Sequence, residues 1–143
     1  MSFDLKLENG DLRISNNGDL RLVRDNEKLR QDCLKILITP IGGNKINSWY
    51  GCDVARSMVG EIFDKNFSID VATQQVQSSL ENLQILQKTQ IRIQNLTAAE
   101  SIAAIKEVYV NTNPLDQRVL ELKASVLTRA LSFVDVSFHI KLY

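Results

Sequence analysis

The sequence predicts an α+β fold: a small antiparallel sheet with about three helices packed on one side, an N-terminal β-meander and a C-terminal β-hairpin. Three patterns lead to this prediction. Apolar residues recur at helical spacing in two stretches, 29–37 and 69–83. Apolar and polar residues alternate over 133–142, which is the period of a half-buried strand. Two Asn-Gly pairs lie before residue 20 and favour short hairpins there.

Length and composition indicate one globular domain spanning residues 1–143. Hydrophobic residues make up 44% of the chain and charged residues 24%, which is ordinary for a soluble protein. The 17 basic and 17 acidic residues balance, so we expect neither nucleic acid nor a membrane surface as a partner. There is no apolar run long enough to cross a bilayer and no signal peptide. We therefore expect a soluble chain made in a cytoplasm.

Two cysteines and one histidine give no basis for metal or disulfide chemistry. Cys33 falls on a predicted apolar helix face, where a cysteine packs as a small hydrophobe. Cys52 follows Gly51 in a loop, where exposure is an option, but no partner stands at a spacing typical of a catalytic thiol. His139 falls on the polar face of the last strand and is expected to be solvated. We expect no metal and no cofactor.

The N-terminal segment contains a short repeat. The hexapeptide Asn-Gly-Asp-Leu-Arg-Ile at 9–14 recurs as Asn-Gly-Asp-Leu-Arg-Leu at 17–22. Each copy combines a turn favouring positive φ with alternating flanks, which predicts three short strands. Two copies are too few for a solenoid. The turn aspartates lack the ligand spacing of a calcium loop, so we interpret them as turn caps.

The segment 29–51 (LRQDCLKILITPIGGNKINSWYG) predicts a helix followed by a loop. The helix has a buried face at Leu29, Cys33, Ile36 and Leu37, with Asp25 or Asn26 as its cap. It ends at Pro40, because proline lacks an N–H and restricts Thr39. The loop holds Trp49 and Tyr50. Large aromatic residues on a loop either pack down on the core as a lid or contact a partner.

Two more helices follow in the prediction. Asp53 caps the first, which runs to about Phe63 with a stripe formed by Val54, Met58 and Ile62. Ser68 caps the longest helix, which runs to about Gln87. Its apolar face consists of Ile69, Ala72, Val76, Leu80 and Leu83. Its opposite face is rich in Gln and Ser, which suits either solvent or another subunit, because these side chains lose less on desolvation than charged ones.

The remainder of the chain reads mainly as strands. Thr97 and Glu100 form a capping-box pattern that predicts a short helical turn. Strands are predicted over Ile105–Val110, Arg118–Leu127 and Phe133–Tyr143. The last strand is either the closing edge of its own sheet or a strand that pairs with another chain.

A set of residues in 29–51 resembles the baseplate wedge family of contractile phage tails, which is related to the sheath-initiator subunit of type VI secretion machines. In that family a helix bearing a glutamine leads into a Thr-x-x-Gly turn and then an aromatic-Gly pair. The corresponding residues here are Leu29, Gln31, Leu34, Leu37, Thr39-Pro40-Ile41-Gly42 and Tyr50-Gly51. Gly43 stands where an acidic residue is common. At the junction after the long helix the family carries Glu-Pro-Arg and an aliphatic residue, of which Arg92 and Ile93 remain.

The resemblance implies a structural baseplate wedge subunit that templates sheath assembly. Its implied partners are other wedge proteins and the tail sheath protein, with hub or tube proteins as a further option. Its location would be the virion tail baseplate, assembled in the host cytoplasm. The hairpin Arg118–Tyr143 would offer edge strands to the first sheath ring by β-augmentation. The expected partner-binding residues are Arg92, Gln90, Trp49, Tyr50, Val134, Val136, Phe138 and Ile140.

An enzyme is the competing hypothesis, because tail baseplates often carry cell-wall hydrolases. Glycoside hydrolysis needs two carboxylates across a cleft, and the candidates Glu61, Asp64, Glu100 and Glu107 all fall on faces expected to be solvated. No Ser-His-Asp, Cys-His, zinc or phosphate-loop pattern is present. We therefore expect no catalytic residue. A small assembly adaptor, using the Gln-rich helix face and the Trp49 loop, is the remaining alternative.

Overall fold

Two long helices and a three-stranded antiparallel sheet form the body of the protein in the computed structural model, which describes residues 2–57 and 65–141. The elements run in this order: β1 (Asp4–Leu5), β2 (Leu7–Glu8), β3 (Asp11–Leu12), β4 (Leu22–Val23), α1 (Asp25–Ile38), α2 (Val54–Ser57), α3 (Lys65–Gln90), a 3₁₀ turn (Ala98–Glu100), β5 (Ile102–Thr112), β6 (Val119–Thr128) and β7 (Phe133–Lys141). The α+β class is confirmed. Where about three helices were predicted, the described residues hold two long helices and the four-residue α2.

The sheet has the order β5-β6-β7, so the predicted C-terminal hairpin is its second half. Alternate residues of β6 and β7 are buried, as the alternating pattern predicts: Leu120, Leu122, Ala124 and Val126 on β6, and Val134 and Val136 on β7. These residues share one core with the buried faces of α1 and α3. The other face of the sheet is largely exposed, and both helices therefore pack on one side.

The N-terminal residues form four two-residue strands closed into a ring, rather than the predicted meander of three short strands. The Lys6 N–H donates to the Arg21 carbonyl at 2.8 Å, the Arg13 N–H to the Lys6 carbonyl at 2.9 Å, and the Arg21 N–H to the Arg13 carbonyl at 2.9 Å. Each of the three segments thus pairs with both of the others, which removes the edges that a flat meander would leave. The Asn9-Gly10 turn has positive φ at both residues, as its sequence predicts.

Buried glutamine side chains join the parts of the fold. The Gln31 carbonyl oxygen accepts from the Leu7 N–H at 2.8 Å, and its amide donates to the Leu5 carbonyl at 2.8 Å and to Asp4 at 2.9 Å. Burial opposes ionisation of Asp4, but hydrogen bonds from Lys35 and Gln31 outweigh it and lower the Asp4 pKa. Gln31 therefore completes the main-chain hydrogen bonding of the N-terminal ring.

Two polar residues, Ser79 and Gln87, lie on the buried face of α3 among its apolar residues and are 3% and 4% exposed. The opposite, Gln- and Ser-rich face is exposed at Gln74, Gln77 and Ser78. Gln87 donates to the Glu100 carbonyl and accepts from the Ile102 N–H, both at 2.9 Å. Ser79 donates to the Gly51 carbonyl at 2.8 Å. These uncharged side chains therefore bind main-chain groups of their own chain, which lack partners in regular secondary structure.

Several predicted boundaries are wrong. Helix α1 has no side-chain cap, because Asp25 accepts from Thr97 and Asn26 from Ser132 instead. Helix α3 begins at Lys65 rather than Ser68 and ends at Gln90. The predicted Thr97–Glu100 turn is confirmed, with Glu100 accepting from the Thr97 N–H at 3.0 Å. Strand β5 extends beyond Ile105–Val110 at both ends. Met58, Ile62, Phe63, Leu142 and Tyr143 lie outside the described residues.

Candidate interaction surfaces

The exposed residues of β7 direct their main-chain groups away from the sheet. The hairpin closes with the Thr128 N–H donating to the Ser132 carbonyl at 2.9 Å. Hydrogen-bonded and non-hydrogen-bonded pairs alternate along an antiparallel ladder, and the β6–β7 register runs without a shift. The N–H and C=O groups that face outward are therefore those of the odd-numbered residues Phe133, Asp135, Ser137, His139 and Lys141.

Arg30 of α1 covers one of these outward groups. Its Nε donates to the Asp135 carbonyl at 3.0 Å, although the two residues are 105 positions apart in the chain. Helix α1 lies beside β7, so an exposed side chain at its flank reaches around the strand. Sequence patterns offered no signal for this contact. Arg30 therefore closes the edge of β7 at Asp135.

The opposite edge of the sheet, formed by β5, is interrupted. Its register with β6 shifts at two places in its first half. Gln84 donates to the Ile102 and Ala103 carbonyls at 3.3 and 2.9 Å, and Gln87 occupies the Ile102 N–H. Bulges and covering side chains are devices that keep a strand edge from pairing with other chains. Because β6 is central, β7 is the strand of the hairpin that presents a regular edge.

A groove of about 430 Å³ runs beside the C-terminal half of β7. Ile38 and Pro40 contribute apolar surface from the end of α1, and Phe138 and Ile140 contribute it from the strand. Ile38 is 64% exposed. The charged residues lining the groove are Asp53, Arg56 and Lys141, with His139 beside them. The groove therefore continues the free edge of β7 onto the helix side of the sheet.

The loop from Thr39 to Cys52 folds back on itself through Gly51. The Cys52 N–H donates to the Thr39 carbonyl at 2.7 Å. Gly51 has a φ of +131°, and a Cβ there would lie 2.5 Å from the Thr39 carbonyl oxygen and 2.9 Å from the Ile41 nitrogen. A side chain cannot fit in this space. Gly51 of the aromatic-Gly pair therefore packs directly against the backbone of the Thr-x-x-Gly turn.

Trp49 and Tyr50 divide the two roles that the sequence left open. Tyr50 is half-buried and packs against the core, which corresponds to the lid. Trp49 is 41% exposed and contacts the Tyr50 ring edge-to-face, with centroids 6.3 Å apart. Trp49 therefore keeps surface for a partner, and Ile46 of the same loop is exposed as well.

The Cys33 thiol and the Tyr50 hydroxyl, which lie near this loop, are held in their neutral forms. Burial raises the pKa of the Cys33 thiol to about 12, and the Asp32 carboxylate adds to the shift. Burial likewise raises the pKa of Tyr50 to about 12. Cys52 is buried too, rather than exposed. A thiol with so high a pKa is not a nucleophile near neutral pH, which argues against covalent chemistry at Cys33.

Gln90 and Arg92 lie at a second surface, at the far end of α3. Residues 91–94 form a turn, with the Ile93 and Gln94 N–H groups both donating to the Gln90 carbonyl. The Arg92 N–H donates to the Thr89 carbonyl at 3.2 Å, but its side chain is exposed and makes no hydrogen bond or ion pair within 2–57 and 65–141. Ile93 is 84% exposed beside it. We call residues 90–93 the Arg92 surface.

The structure separates the predicted partner-binding residues into these two surfaces. Ser79 contacts Gly51, and Gln90 follows eleven residues later, which is roughly 16 Å along the helix. Phe138 and Ile140 line the groove, and Trp49 and Tyr50 shortly precede the groove residue Cys52 in the chain. The side chains of Val134 and Val136 are 1% and 2% exposed, and their main-chain groups face β6. The outward positions that sequence reasoning missed are Asp135, Ser137 and His139.

Of the carboxylates considered for catalysis, Glu107 is exposed as expected, whereas Glu100 is buried rather than solvated. Glu100 is 1% exposed, accepts from Ser2 and Thr97 through Oε2, and leaves Oε1 without a hydrogen bond among the described residues. Glu107 lies on the exposed sheet face in the same cross-strand row as Asp135, roughly 10 Å away across β6. Glu107 and Asp135 both line a shallow depression of about 520 Å³. Glu61 and Asp64 lie outside the described residues.

The described part of the chain has neither a metal-binding cluster nor a membrane-spanning helix. No group of three or more His, Cys, Asp or Glu residues is placed to hold a metal ion there. No helix in 2–57 or 65–141 is both long and apolar enough to cross a bilayer.

Comparison with known proteins shows a shared fold without detectable sequence kinship. No family model and no curated protein matches the chain. Among solved structures it is similar to a protein from Geobacter sulfurreducens described as a "putative tail lysozyme", with a TM-score of 0.60. The match covers 82% of this chain and 90% of that one, at 14% sequence identity. The baseplate family expected from the 29–51 motif thus remains an expectation, and what is shown is that this chain has the fold of that tail protein.

Proposed function

We propose that this chain is a structural subunit of the baseplate of a contractile tail, which templates sheath assembly through β7. Three observations support the proposal: the resemblance of 29–51 to baseplate wedge proteins, the fold shared with a protein described as a tail lysozyme, and the regular edge of β7. The edge is the observation that carries it. A strand with outward N–H and C=O groups binds another strand through main-chain hydrogen bonds, while side-chain alternation sets the register.

In this proposal the Arg92 surface docks the subunit to its wedge partners. An arginine flanked by exposed aliphatic residues is typical of interface anchors, because its planar guanidinium pairs with carboxylates or carbonyls while the aliphatic residues exclude water. The two surfaces lie on different parts of the molecule. One chain could therefore hold the baseplate and the first sheath ring at the same time.

The test must block the β7 edge without unfolding the sheet. Deleting Phe133–Tyr143 does not achieve this, because it removes the core residues Val134 and Val136, each worth about 2 kcal/mol of burial. Ser137→Pro is suitable, because it removes an outward N–H and leaves the β6–β7 ladder intact, a position where strands tolerate proline. We expect Ser137→Pro baseplates to lack sheaths by electron microscopy, and Ser137→Ala baseplates to carry them. Normal sheathed tails from Ser137→Pro would refute the sheath-template role.

Stoichiometry distinguishes a structural subunit from an assembly adaptor. Quantitative mass spectrometry of purified tails should find this chain at a low, constant ratio to the sheath protein. An adaptor that leaves after assembly would be present in immature particles and missing from finished ones.

A glycoside hydrolase is the second candidate, favoured by the name of the structural neighbour and by the Glu107–Asp135 pair. A general acid in such enzymes is normally buried in apolar surroundings, whereas both of these carboxylates are exposed. We therefore expect the purified chain not to clear a peptidoglycan suspension. The enzyme would be established instead if the chain cleared the suspension, if Glu107→Gln or Asp135→Asn abolished the clearing, and if the exposed control Glu81→Gln did not.

A further inference from the structure

A basic cleft lies between the last turns of α3 and the start of β5, on the side of the sheet away from β7. Its volume is about 400 Å³, and its lining includes Gln84, Lys88 and Ile91 from α3 and its exit, and Ser101, Ala103 and Arg129 from the opposite wall. Both charged residues of this lining, Lys88 and Arg129, are basic. They come from distant parts of the chain, so the fold brings two like charges to one cleft.

The two cations of the cleft are unpaired. The side chains of Lys88 and Arg129 are exposed and make no hydrogen bond or ion pair within 2–57 and 65–141. Like charges gathered at one place without counter-charges repel each other, and a complementary ligand relieves that repulsion. The cleft therefore lacks an anion that the described part of the chain does not supply.

The surrounding sequence keeps the local charge positive. The segments that contribute to the cleft have no Asp or Glu over 82–99, 101–106 and 122–134, although the whole chain balances 17 acidic against 17 basic residues. Glu100 is the carboxylate between two of these segments, and it is 1% exposed. Lys88, Arg129 and the neighbouring Arg92 outweigh this single carboxylate. An acidic partner is therefore the one whose charge complements the cleft.

Hydrogen bonds fix the walls of the cleft before anything binds. Gln84 donates to the Ala103 carbonyl at 2.9 Å, which ties α3 to β5. The Arg129 N–H donates to the Ser101 carbonyl at 3.0 Å, which ties the tip of the hairpin to the end of the 3₁₀ turn. A site with a fixed main chain loses little entropy on binding. Because Gln84 already occupies main-chain oxygen at the start of β5, a bound segment makes its contacts here through side chains.

We propose that this cleft binds an acidic side chain of a wedge partner, with an aliphatic residue next to it in the partner packed on Ile91 and Ala103. This inference rests on the proposed function and names the partner's chemistry at a site separate from the β7 edge. The partner's carboxylate pairs with Lys88 and Arg129. The guanidinium contributes a planar pair of donors, and the ammonium contributes a compact charge.

Exposed isoleucines around the cleft favour a peptide over a free anion or a membrane. Ile85 is 59% exposed, Ile91 39% and Ile93 84%. An inorganic anion would leave these side chains in water, whereas a peptide covers them with its own aliphatic groups. Basic clusters that bind anionic membranes usually carry about four to eight Lys or Arg residues. The cleft and Arg92 together supply fewer.

The test measures binding of fluorescently labelled peptides to the purified chain by fluorescence anisotropy. The probe has seven residues in which glutamate alternates with leucine. One control has glutamine at each glutamate position, and the other has serine at each leucine position. We expect each control to bind about tenfold more weakly than the probe. Equal binding of either control, or binding of the chain to phosphatidylglycerol vesicles but not to the probe, would overturn the inference.

Variants that each remove one positive charge locate the site. Lys88→Gln and Arg129→Gln should each weaken binding of the probe about fivefold. Lys45→Gln, at an exposed position of the 39–52 loop, should leave it unchanged. All three side chains are exposed, so urea unfolding should give the same stability and show that lost binding is not lost folding. Equal weakening by all three variants would indicate non-specific attraction and contradict the assignment.

Purified tails separate this inference from the sheath-template role. We expect a chain with both Lys88→Gln and Arg129→Gln to be depleted from tails by quantitative mass spectrometry. Normal incorporation of this double variant would overturn the inference, and the sheath role would still stand if Ser137→Pro tails lacked sheaths. Depletion of the double variant together with normal sheaths in Ser137→Pro tails would uphold the cleft and refute the sheath role.

Discussion

Replacing Gly51 with alanine should lower the free energy of unfolding by about 3 kcal/mol. The new Cβ would meet the Thr39 carbonyl oxygen at 2.5 Å and the Pro40 carbonyl carbon at 2.9 Å. Both are backbone atoms of a turn that the Cys52 N–H binds, so relief requires the loop to separate from the end of α1. The φ of +131° adds strain, because residues with a side chain rarely adopt it. Urea unfolding followed by circular dichroism measures the change.

The matched control is Gly42→Ala in the same loop. Gly42 also has a positive φ, +83°, but a Cβ there meets nothing within 4 Å. This variant should lower the free energy of unfolding only by the conformational cost of a positive φ, about 1 kcal/mol. Equal losses in the two variants would show that backbone conformation, and not the contact between the two halves of the loop, accounts for the glycine at 51.

Gln31→Ala should cost about 2 kcal/mol and loosen the N-terminal ring. The side chain is 8% exposed and makes three hydrogen bonds, to the Leu7 N–H, the Leu5 carbonyl and Asp4. Alanine leaves these groups without their partner, and the Lys35–Asp4 ion pair, which still joins the ring to α1, does not satisfy the Leu7 N–H or the Leu5 carbonyl. Urea unfolding gives the free energy, and hydrogen exchange at the Leu7 amide reports the ring, where we expect much faster exchange.

The control for this prediction is Gln77→Ala on α3. Gln77 is exposed and donates only to Glu81, one helical turn away, at 3.2 Å. Its removal should change stability by less than about 0.5 kcal/mol. If Gln31→Ala changed stability as little as Gln77→Ala and left exchange at Leu7 unchanged, the result would show that water hydrogen-bonds the main-chain groups of the ring as well as Gln31 does.

These two predictions concern the residues that carry the family resemblance. Gln31 holds the N-terminal ring, and Gly51 lets the loop close on the Thr39-Pro40-Ile41 turn. Both positions therefore specify the fold rather than contact a partner. The main-chain edge of β7 and the Arg92 surface lie outside the 29–51 segment, which contributes Ile38 and Pro40 to the groove beside β7.

Much of the architecture was predictable because it depends on local periodicity. The buried face of α1, the Asn9-Gly10 turn and the alternation along β6 and β7 each follow from residues a few positions apart. Helix ends were less predictable. Asp25 and Asn26 have good capping side chains, but in the fold Thr97 and Ser132 compete for them.

By itself the sequence determined the α+β class, the hairpin and which face of β7 is buried, since burial of apolar side chains dominates folding and its period is legible in the chain. Tertiary structure alone decided which edge of the sheet stays open. Two register shifts and the α3 glutamines close β5, and Arg30 reaches Asp135 across 105 residues. Such contacts join polar groups that meet only after the core has formed, and no local pattern records them.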